Sequence, residues 1–426
     1  MTKLTRRTFN GLLGTAGLVS AFGISGCANG PAGPHVVVVG GGFGGATAAK
    51  YIRRRDPNMR VTLIESSKVF HTCPFSNAVL AGFKDMAYIT KSYDRLASAH
   101  GVNVVNDTVV AIDPAKKTVT TKGGATFTYD RCIVSPGIDF KWGALPGYDQ
   151  AASEIMPHAW KAGAQTALLR KQLEAMPDGG VFVISSPGNP YRCPPGPYER
   201  AGLVAWYFKQ KKPKSKILIL DSKDAFAKQK LFMEGWDKAY GEMIEWVPAN
   251  KNGKVLKVDA KGMVVETDFD KHKASVANVI PPQQAGAIAF AAGLTDDSGF
   301  CPIDPVTFES TRQKGIHVIG DACIAGAMPK SGYSASSQGK VAAAAVIDLL
   351  NGRKPVAPSF INTCYSLIAP DYGISVAAVY EVADGKIAGV KGSGGVSPAG
   401  ANYQFRKKEA DFAEGWYASV SQDCWG

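Results

Sequence analysis

The feature that most constrains the fold is a glycine-rich turn placed between a predicted strand and a predicted helix. Residues 35–39 read HVVVV, a β-branched run typical of a buried strand in a parallel sheet. Gly40, Gly42 and Gly45 follow with G-x-G-x-x-G spacing, which permits a tight turn, lets a pyrophosphate approach and allows close helix–strand packing. Glu65 ends the next predicted strand, about 20 residues on, where a carboxylate can bond ribose hydroxyls. The sequence therefore predicts a βαβ unit that binds a dinucleotide at the helix N-terminus.

A second βαβ unit is predicted further along the chain. A strand at 180–184, a helical stretch at 198–209 and a strand at 217–221, which ends in Asp221, repeat the order of the first unit. The turn of this unit, residues 185–190, reads SSPGNP and lacks a second glycine motif. Prolines remove donors and backbone freedom where a pyrophosphate needs both. We therefore expect the second sheet to persist without binding a nicotinamide cofactor.

Two short motifs after predicted strands complete the first unit. Ser135-Pro136-Gly137 and Gly320-Asp321 resemble the flavin-contacting motifs of the glutathione-reductase-like flavoprotein superfamily. This resemblance implies FAD as the dinucleotide, with a contact from Gly137 and a bond from Asp321 to the ribityl chain. The expected fold class is α/β, with two interleaved Rossmann-like dinucleotide-binding domains and a C-terminal α+β domain, whose sequence mixes short strand-like and polar pieces. The expected boundaries are a signal peptide at 1–30, an FAD-binding domain at 31–147 and 287–354, a degenerate NAD-type domain at 148–286 and a C-terminal interface domain at 355–426.

Three of the cysteines stand in longer motifs. The stretches are HTCPFSN at 71–77, YRCPPGPYER at 191–200 and NTCYS at 362–366, joined by MPKSGY at 328–333. They resemble the flavoprotein subunit of flavocytochrome c sulfide dehydrogenase, and the resemblance runs from the strand at residue 35 to the C-terminal Trp425-Gly426. It implies that the chain oxidises sulfide and passes the electrons to a cytochrome c.

The resemblance also assigns roles to individual residues. Cys73 would be joined to the flavin ring by a thioether, the alternative being a buried spectator thiol. Cys193 and Cys364 would form a redox-active disulfide, the alternative being a structural staple. Hydrosulfide, a soft nucleophile, can attack a disulfide sulfur and leave a persulfide and a thiolate, which can pass two electrons to FAD. Glu199 resembles the family's proton-handling carboxylate, the alternative being a solvated helix glutamate.

The remaining cysteines and the histidines do not indicate a metal. Cys132, Cys301 and Cys323 lie in apolar contexts and are predicted to be core thiols. No two cysteines have C-x-x-C spacing and the six histidines form no cluster, so no zinc or iron–sulfur site is expected. The chain also lacks C-x-x-C-H, so haem is expected only on a separate cytochrome c subunit, most simply in a heterodimer.

Charge and the first thirty residues bear on location and partners. The net charge is +12, but the densest basic run, 209–216, is broken by Pro213 and has no interleaved aromatics, so no nucleic acid is expected. Arg6 and Arg7 precede an apolar stretch that is too short to cross a bilayer, a pattern typical of a twin-arginine signal peptide. It predicts export of a folded, cofactor-loaded protein to the periplasm, and no transmembrane segment is expected. Residues 24–27 are also typical of a lipoprotein box with Cys27 as the acylated residue, although ordinary cleavage nearby explains them equally well.

Two other functions remain open at this point. A sulfide:quinone oxidoreductase shares the fold and the disulfide logic but needs an apolar, membrane-seated C-terminal surface, whereas residues 406–409 read RKKE. A non-catalytic partner of sulfur-oxidising proteins could use the same two cysteines to carry a persulfide.

Overall fold

A computed structural model describes residues 33–426. The predictions for the signal peptide at 1–30 and for Cys27 lie outside the described residues. In the described range the chain forms ten α-helices and twenty-three β-strands.

The helices differ widely in length, and the longest two cover the dinucleotide sheet and the C-terminal sheet. They are α1 Phe43–Arg55, α2 Ser76–Ala81, α3 Met86–Ile89, α4 Asp94–His100, α5 Ala164–Ala175, α6 Gly196–Lys211, α7 Gln229–Tyr240, α8 Ala287–Ala291, α9 Gly332–Leu350 and α10 Tyr403–Trp425. Short 3-10 turns occupy Ala152–Glu154, Gly241–Met243, Ala249–Lys251 and Gly320–Ala322.

The strands fall into seven sheets. They are β1 His35–Val39, β2 Arg60–Glu65, β3 Val69–His71, β4 Thr90–Ser92, β5 Asn103–Asn106, β6 Val109–Asp113, β7 Thr118–Thr121, β8 Thr126–Thr128, β9 Arg131–Val134, β10 Ile138–Phe140, β11 Val181–Ser186, β12 Lys216–Asp221, β13 Ile244–Val247, β14 Lys257–Asp259, β15 Val264–Glu266, β16 Lys271–Lys273, β17 Val276–Val279, β18 Gln283–Ala285, β19 Ile316–Val318, β20 Ser359–Ala369, β21 Tyr372–Ala383, β22 Lys386–Gly389 and β23 Gly395–Val396.

The first dinucleotide unit is a five-stranded parallel sheet in the order β19-β9-β1-β2-β5. β1 is central, and all five of its side chains are buried, as expected for a parallel strand covered on both faces. α1 and α9 cross one face in close contact. The contact leaves no room for a side chain at Gly339, where a Cβ would lie 2.6 Å from the carbonyl oxygen of Gly44. Strands from distant parts of the chain therefore build one sheet around the glycine turn.

The second unit is a four-stranded parallel sheet in the order β13-β12-β11-β17. The predicted β11-α6-β12 order is present, and α6 carries the YRCPPGPYER motif at its start. The antiparallel pair of β10 and β18 connects this unit to the first, immediately after Gly137. The two units and the interleaving of their strands confirm the predicted fold class.

The C-terminal part is an antiparallel sheet of β20 to β23 covered by α10. The prediction of short, mixed pieces was wrong here, since β20 and β21 have 11 and 12 residues and α10 has 23. The buried stripe of α10 has helical spacing, but it includes Arg406, Glu409 and Ser421. Because polar residues occupy core-facing positions of α10, the apolar residues alone do not show its helical period.

The end of α10 reaches back to the glycine turn. The indole N–H of Trp425 donates to the carbonyl oxygen of Gly41 at 3.1 Å, and the Thr47 hydroxyl donates to Cys424 Sγ at 3.2 Å. The Lys50 ammonium donates to the carbonyl oxygens of residues 422 and 423. The C-terminal helix is thus fastened to α1, the helix that follows the turn.

Candidate functional site

The glycine turn requires glycine at two positions for steric reasons. Gly40 has φ +96°, and a Cβ there would lie 2.3 Å from the carbonyl oxygen of Ser135. A Cβ at Gly45 would lie 1.8 Å from the carbonyl oxygen of Gly40. Gly42 is the N-cap of α1, so the first N–H groups of that helix are free to bind an anion. The turn is therefore built as the motif predicts, with Gly45 beneath it and Gly42 facing outward.

Glu65 ends β2 and holds the turn from below. Its Oε2 accepts from the Gly41 N–H at 2.7 Å, and its Oε1 accepts from the Ser66 hydroxyl and the Ser67 N–H, both at 3.0 Å. The carboxylate thus braces the turn and also faces the cavity described next.

A cavity of about 530 Å³ opens beside the turn. Six of the seven residues predicted to contact the cofactor lie in its wall, and Gly45, under the turn, does not. The six are Gly40, Gly42, Glu65, Cys73, Gly137 and Asp321. At Gly137 (φ +66°) no atom lies within 4 Å of a Cβ position, so the missing side chain leaves open space in the cavity.

Asp321 carries an unsatisfied acceptor in this wall. Its Oδ1 is buried without a hydrogen-bond partner, and its Oδ2 lies 3.9 Å from Nη1 of Arg192. Burial raises the pKa of Asp321. A buried oxygen without a partner is unusual, and a polyol hydroxyl placed in the cavity would satisfy it. The wall therefore fits an FAD molecule, and the bond from Asp321 to its ribityl chain stays a prediction.

Three thiols meet at the far end of the cavity. Cys73 precedes α2, Cys193 precedes α6, and Cys364 lies in the middle of β20. All three also line a second cavity of about 40 Å³. A hydrogen bond between the Cys73 and Cys193 thiols lowers the pKa of Cys73 to about 7, and the same bond raises that of Cys193.

The predicted Cys193–Cys364 disulfide is not formed in this structure, where every described cysteine is a free thiol. The fold brings the two residues to the same cavities, but their pairing stays a prediction. Cys193 has φ 57°, and its N–H donates to the carbonyl oxygen of Lys330 at 2.8 Å. A Cβ at Gly196 would lie 3.0 Å from Cys193 Sγ, so the start of α6 packs directly against this sulfur. The predicted core thiols Cys132, Cys301 and Cys323 are buried, which confirms that assignment.

Glu199 faces the second cavity from the first turn of α6. Its Oε1 accepts from the Leu367 N–H at 2.9 Å and its Oε2 from the Asn77 side chain at 2.8 Å. The surrounding protein raises the pKa of the Glu199 carboxyl, because burial disfavours its charged form. Both oxygens of the half-buried Glu199 are therefore bound by protein donors, and its proton-handling role stays a prediction.

Arg200 is a site residue that the sequence reasoning missed. Its buried guanidinium donates to Oδ1 of Asn77 at 3.0 Å, to Oδ1 of Asn278 at 2.6 Å and to the carbonyl oxygens of His158 and Ala159 at 3.2 and 2.7 Å. It thereby fixes the Asn77 amide that holds Glu199. The signal in the sequence was its place next to Glu199 in the motif YRCPPGPYER, which mixes charged residues with prolines.

Lys228 was also missed, and the sequence carries no signal for it. It lies before α7, far along the chain from each thiol, and its ammonium donates to the Ser366 hydroxyl at 2.9 Å and to the Cys364 carbonyl oxygen at 3.5 Å. Only the packing of α7 against β20 brings it to the thiols.

The acidic position at the end of β12 is occupied by protein contacts. The fully buried Asp221 carboxylate accepts from the Tyr198 hydroxyl at 2.5 Å, the Trp246 indole N–H at 2.9 Å and the Lys223 ammonium at 2.6 Å. A nicotinamide ribose would have to displace these donors. Asp221 thus serves the packing of the second sheet.

Within residues 33–426, no group of three or more His, Cys, Asp and Glu residues is placed to hold a metal ion. No helix in this range is long and apolar enough to cross a membrane.

The fold and the cavity define the class of protein. Residues 34–171 match the family model of the pyridine nucleotide-disulphide oxidoreductases. The solved structure of the sulfide:quinone oxidoreductase from the hyperthermophilic bacterium Aquifex aeolicus superposes with a TM-score of 0.71 over 92% of each chain, at 16% identity. The chain thus has the two-domain fold of the flavoprotein oxidoreductases.

More specific matches give the family. Residues 166–281 match the central domain of the sulfide dehydrogenase [flavocytochrome c] flavoprotein chain, and residues 356–425 match the flavin-binding domain of flavocytochrome c sulphide dehydrogenase. A sulfide dehydrogenase flavoprotein chain from Chlorobaculum thiosulfatiphilum is 68% identical over 45 residues, which are 11% of this chain and 94% of that sequence. The chain belongs to the family of flavoprotein chains of flavocytochrome c sulfide dehydrogenase, as the sequence motifs predict.

The family is also related to quinone-reducing enzymes. The mitochondrial sulfide:quinone oxidoreductase of Mus musculus is 23% identical over 305 residues, which are 67% of this chain and 65% of the mouse enzyme. The chain therefore spans just under two thirds of that relative.

Proposed function

We propose that this chain is an FAD enzyme that oxidises sulfide at Cys193 and Cys364 and passes the electrons to a separate cytochrome c subunit. The observation that carries the proposal is that Cys73, Cys193 and Cys364 line both a cavity large enough for a dinucleotide and a second, small cavity. Bound FAD would supply the two-electron acceptor. Gly40, Gly42, Glu65, Gly137 and Asp321 would hold it, and Cys73 would attach it through a thioether.

The chain's own residues account for the sulfur chemistry. In the oxidised protein, hydrosulfide attacks one sulfur of the Cys193–Cys364 disulfide, so that one S–S bond forms as another breaks and the partner sulfur leaves as a thiolate. A second hydrosulfide then attacks the outer sulfur of the persulfide. HSS⁻ is released, and the cysteine that carried the persulfide becomes a thiol. The two cysteines are then reduced, and their re-oxidation releases two electrons and one proton. The balance is 2 HS⁻ giving HSS⁻, H⁺ and two electrons.

Glu199 handles the proton of this reaction. Its charge acts on both the Cys193 and the Cys364 thiols, and its raised pKa brings it nearer to the working pH than an ordinary carboxyl. Asn77 and the Leu367 N–H fix its two oxygens, so the carboxyl is oriented toward the cavity before sulfide enters.

The second candidate is reduction of a quinone, and one observation favours it. Arg406 and Glu409 are buried and paired with each other at 3.2 Å, so the C-terminal surface is less polar than its sequence indicates. Tyr403, Phe405 and Phe412 of α10 are exposed instead. Exposed aromatic residues beside Lys407 and Lys408 are a surface that a membrane or a protein partner could cover.

The test is steady-state turnover of the purified, flavin-loaded protein with sulfide as donor. Reduction of cytochrome c supports the proposal, and reduction of only a soluble quinone analogue supports the second candidate. No turnover with either acceptor, together with stable binding of sulfur-oxidising proteins, would support a non-catalytic partner.

Location is a separate proposal, which rests on residues 1–30. We propose export to the periplasm by the twin-arginine route, with Cys27 as a candidate lipid anchor. Replacing Arg6 and Arg7 by lysine should leave the flavin-loaded protein in the cytoplasmic fraction, and Cys27→Ser should abolish labelling by a radioactive fatty acid. Unchanged export of the first variant, or absence of label on the parent, would refute the respective claim.

A further inference from the structure

Lys228 is a buried lysine that the proposed reaction has not used. Its side chain is 8% exposed, and its backbone has φ 62°, a left-handed conformation disfavoured for residues with a Cβ. Its ammonium reaches β20, where it donates to the Ser366 hydroxyl at 2.9 Å and the Cys364 carbonyl oxygen at 3.5 Å. Both acceptors are neutral, so neither of these two hydrogen bonds joins the Lys228 ammonium to a carboxylate.

The negatively ionising groups that face Lys228 are two carboxyls and two thiols. They are Cys364, Glu199, Cys193 and Glu409.

Both carboxyls already have other donors. Glu199 accepts from Asn77 and the Leu367 N–H, and Glu409 accepts from Arg406 and from the Ser375 and Ser397 hydroxyls. A buried cation is costly unless an anion lies beside it. Since both carboxyls are bound by other donors, a thiolate of Cys364 or Cys193 is the anion that can lie beside Lys228.

The two thiols differ in their surroundings. Burial raises the pKa of Cys364, and Lys228 is the group that acts against this increase, while Glu199 and Cys73 add to it. The hydrogen bond to Cys73, burial, Cys364 and Glu199 raise the pKa of Cys193, and Lys228, whose hydrogen bonds go to Cys364 and Ser366, interacts less with Cys193 than with Cys364. Cys364 and Ser366 lie two residues apart on β20, so their side chains point to the same face of the sheet, and the Lys228 ammonium, bound to the Ser366 hydroxyl, lies on that face. A thiolate is therefore better accommodated on Cys364 than on Cys193.

We propose that Lys228 is a positioning residue that stabilises negative charge on Cys364 Sγ, so that hydrosulfide attacks Cys193 and Cys364 leaves as the thiolate. The bond between Cys193 Sγ and the incoming sulfur forms, the Cys193–Cys364 bond breaks, and its electron pair goes to Cys364 Sγ. The proton of hydrosulfide stays on the outer sulfur of the Cys193 persulfide. This inference rests on the proposed function, and it adds the direction of attack.

The test measures thiol ionisation in the reduced protein without sulfide. The parent, Lys228→Gln and Lys228→Arg are reduced and treated with iodoacetamide at a series of pH values, and alkylation of Cys364 and Cys193 is followed by peptide mass spectrometry. Because the thiolate is the reacting form, we expect Cys364 to react before Cys193 in the parent. Lys228→Gln should slow Cys364 at neutral pH by about tenfold, the effect of one pKa unit, and Lys228→Arg should restore the rate.

Lys50→Gln is the matched control, because Lys50 is also buried and donates to main-chain carbonyls, but far from the thiols. It should leave the alkylation profile of Cys364 unchanged. An equal profile for Cys364 in the parent and Lys228→Gln would overturn the inference. If Lys228→Gln does not fold, the parent decides, since faster alkylation of Cys193 than of Cys364 would also overturn it. A protein that shows the expected profiles but oxidises no sulfide keeps this charge assignment and loses only the proposed function.

Discussion

Replacing Arg200 by methionine is the perturbation whose size follows most directly from the structure. Methionine has a similar length and keeps the apolar contacts, but it removes a guanidinium that is 2% exposed. The ring of Trp160 lies 4.9 Å from the guanidinium carbon and would lose that contact as well. The variant therefore separates the polar role of Arg200 from its packing.

The magnitude follows from the acceptors that lose their donor. Oδ1 of Asn77, Oδ1 of Asn278 and the carbonyl oxygen of Ala159 each accept from Arg200, whereas the His158 carbonyl keeps a second donor in Asn278. A buried acceptor left without a partner costs about 1–3 kcal/mol. Arg200→Met should thus lower the free energy of unfolding by at least about 3 kcal/mol.

The assay is urea denaturation followed by tryptophan fluorescence, with sulfide turnover measured on the same preparations. Arg353→Met is the control, since the side chain of Arg353 is 57% exposed and pairs with Asp348, so that its loss should cost only about 1 kcal/mol or less. Turnover should fall in Arg200→Met, because Asn77 no longer holds Glu199 in place. A loss of stability no larger than that of the control would refute this account of Arg200.

Four further outcomes are expected. Cys193→Ser should abolish sulfide oxidation while FAD stays bound, and unchanged turnover would exclude the disulfide mechanism. Cys73→Ala should let acid precipitation release the flavin, which the parent retains with the protein; equal release from both would remove Cys73 from the thioether role. Gly45→Ala, whose Cβ would lie 1.8 Å from the Gly40 carbonyl oxygen, should displace the turn at a cost of about 2 kcal/mol or more and lower the amount of flavin incorporated per chain. Gly415→Ala, with open space around the Cβ position, should incorporate as much flavin as the parent. Because the pKa of Glu199 is raised on folding, the contribution of this carboxyl to stability is complete at acid pH and is lost as the pH rises through the raised pKa. The free energy of unfolding of Glu199→Gln relative to that of the parent should therefore increase from acid to neutral pH. A difference between the two proteins that does not vary with pH would contradict this.

The glycine turn could be predicted from the sequence because its determinants are local. Gly40 has a positive φ and Gly45 contacts Gly40, five residues earlier, and the strand and helix on either side are readable from β-branched and small residues. The cysteine motifs were recognised by resemblance, which gave Cys73, Cys193 and Cys364 together. Their meeting in one place needed the structure.

The parts that could not be predicted depend on contacts between distant segments. Lys228 and Cys364 are 136 residues apart in the chain, and an isolated lysine has no pattern that indicates a buried position. α10 was missed because Arg406 and Glu409 occupy positions that face the core, where they satisfy each other. In both cases a charged side chain is buried with partners, which the apolar pattern of a sequence does not report.

The bond between the Trp425 indole and the Gly41 carbonyl has a consequence for the order of events during synthesis. These two residues are 384 positions apart, so the ribosome makes the glycine turn long before the residue that covers it. Strand β19 and helix α9, which complete the first sheet, are also late products. The wall of the FAD cavity therefore stays incomplete until Trp416, its last residue along the chain, has been synthesised.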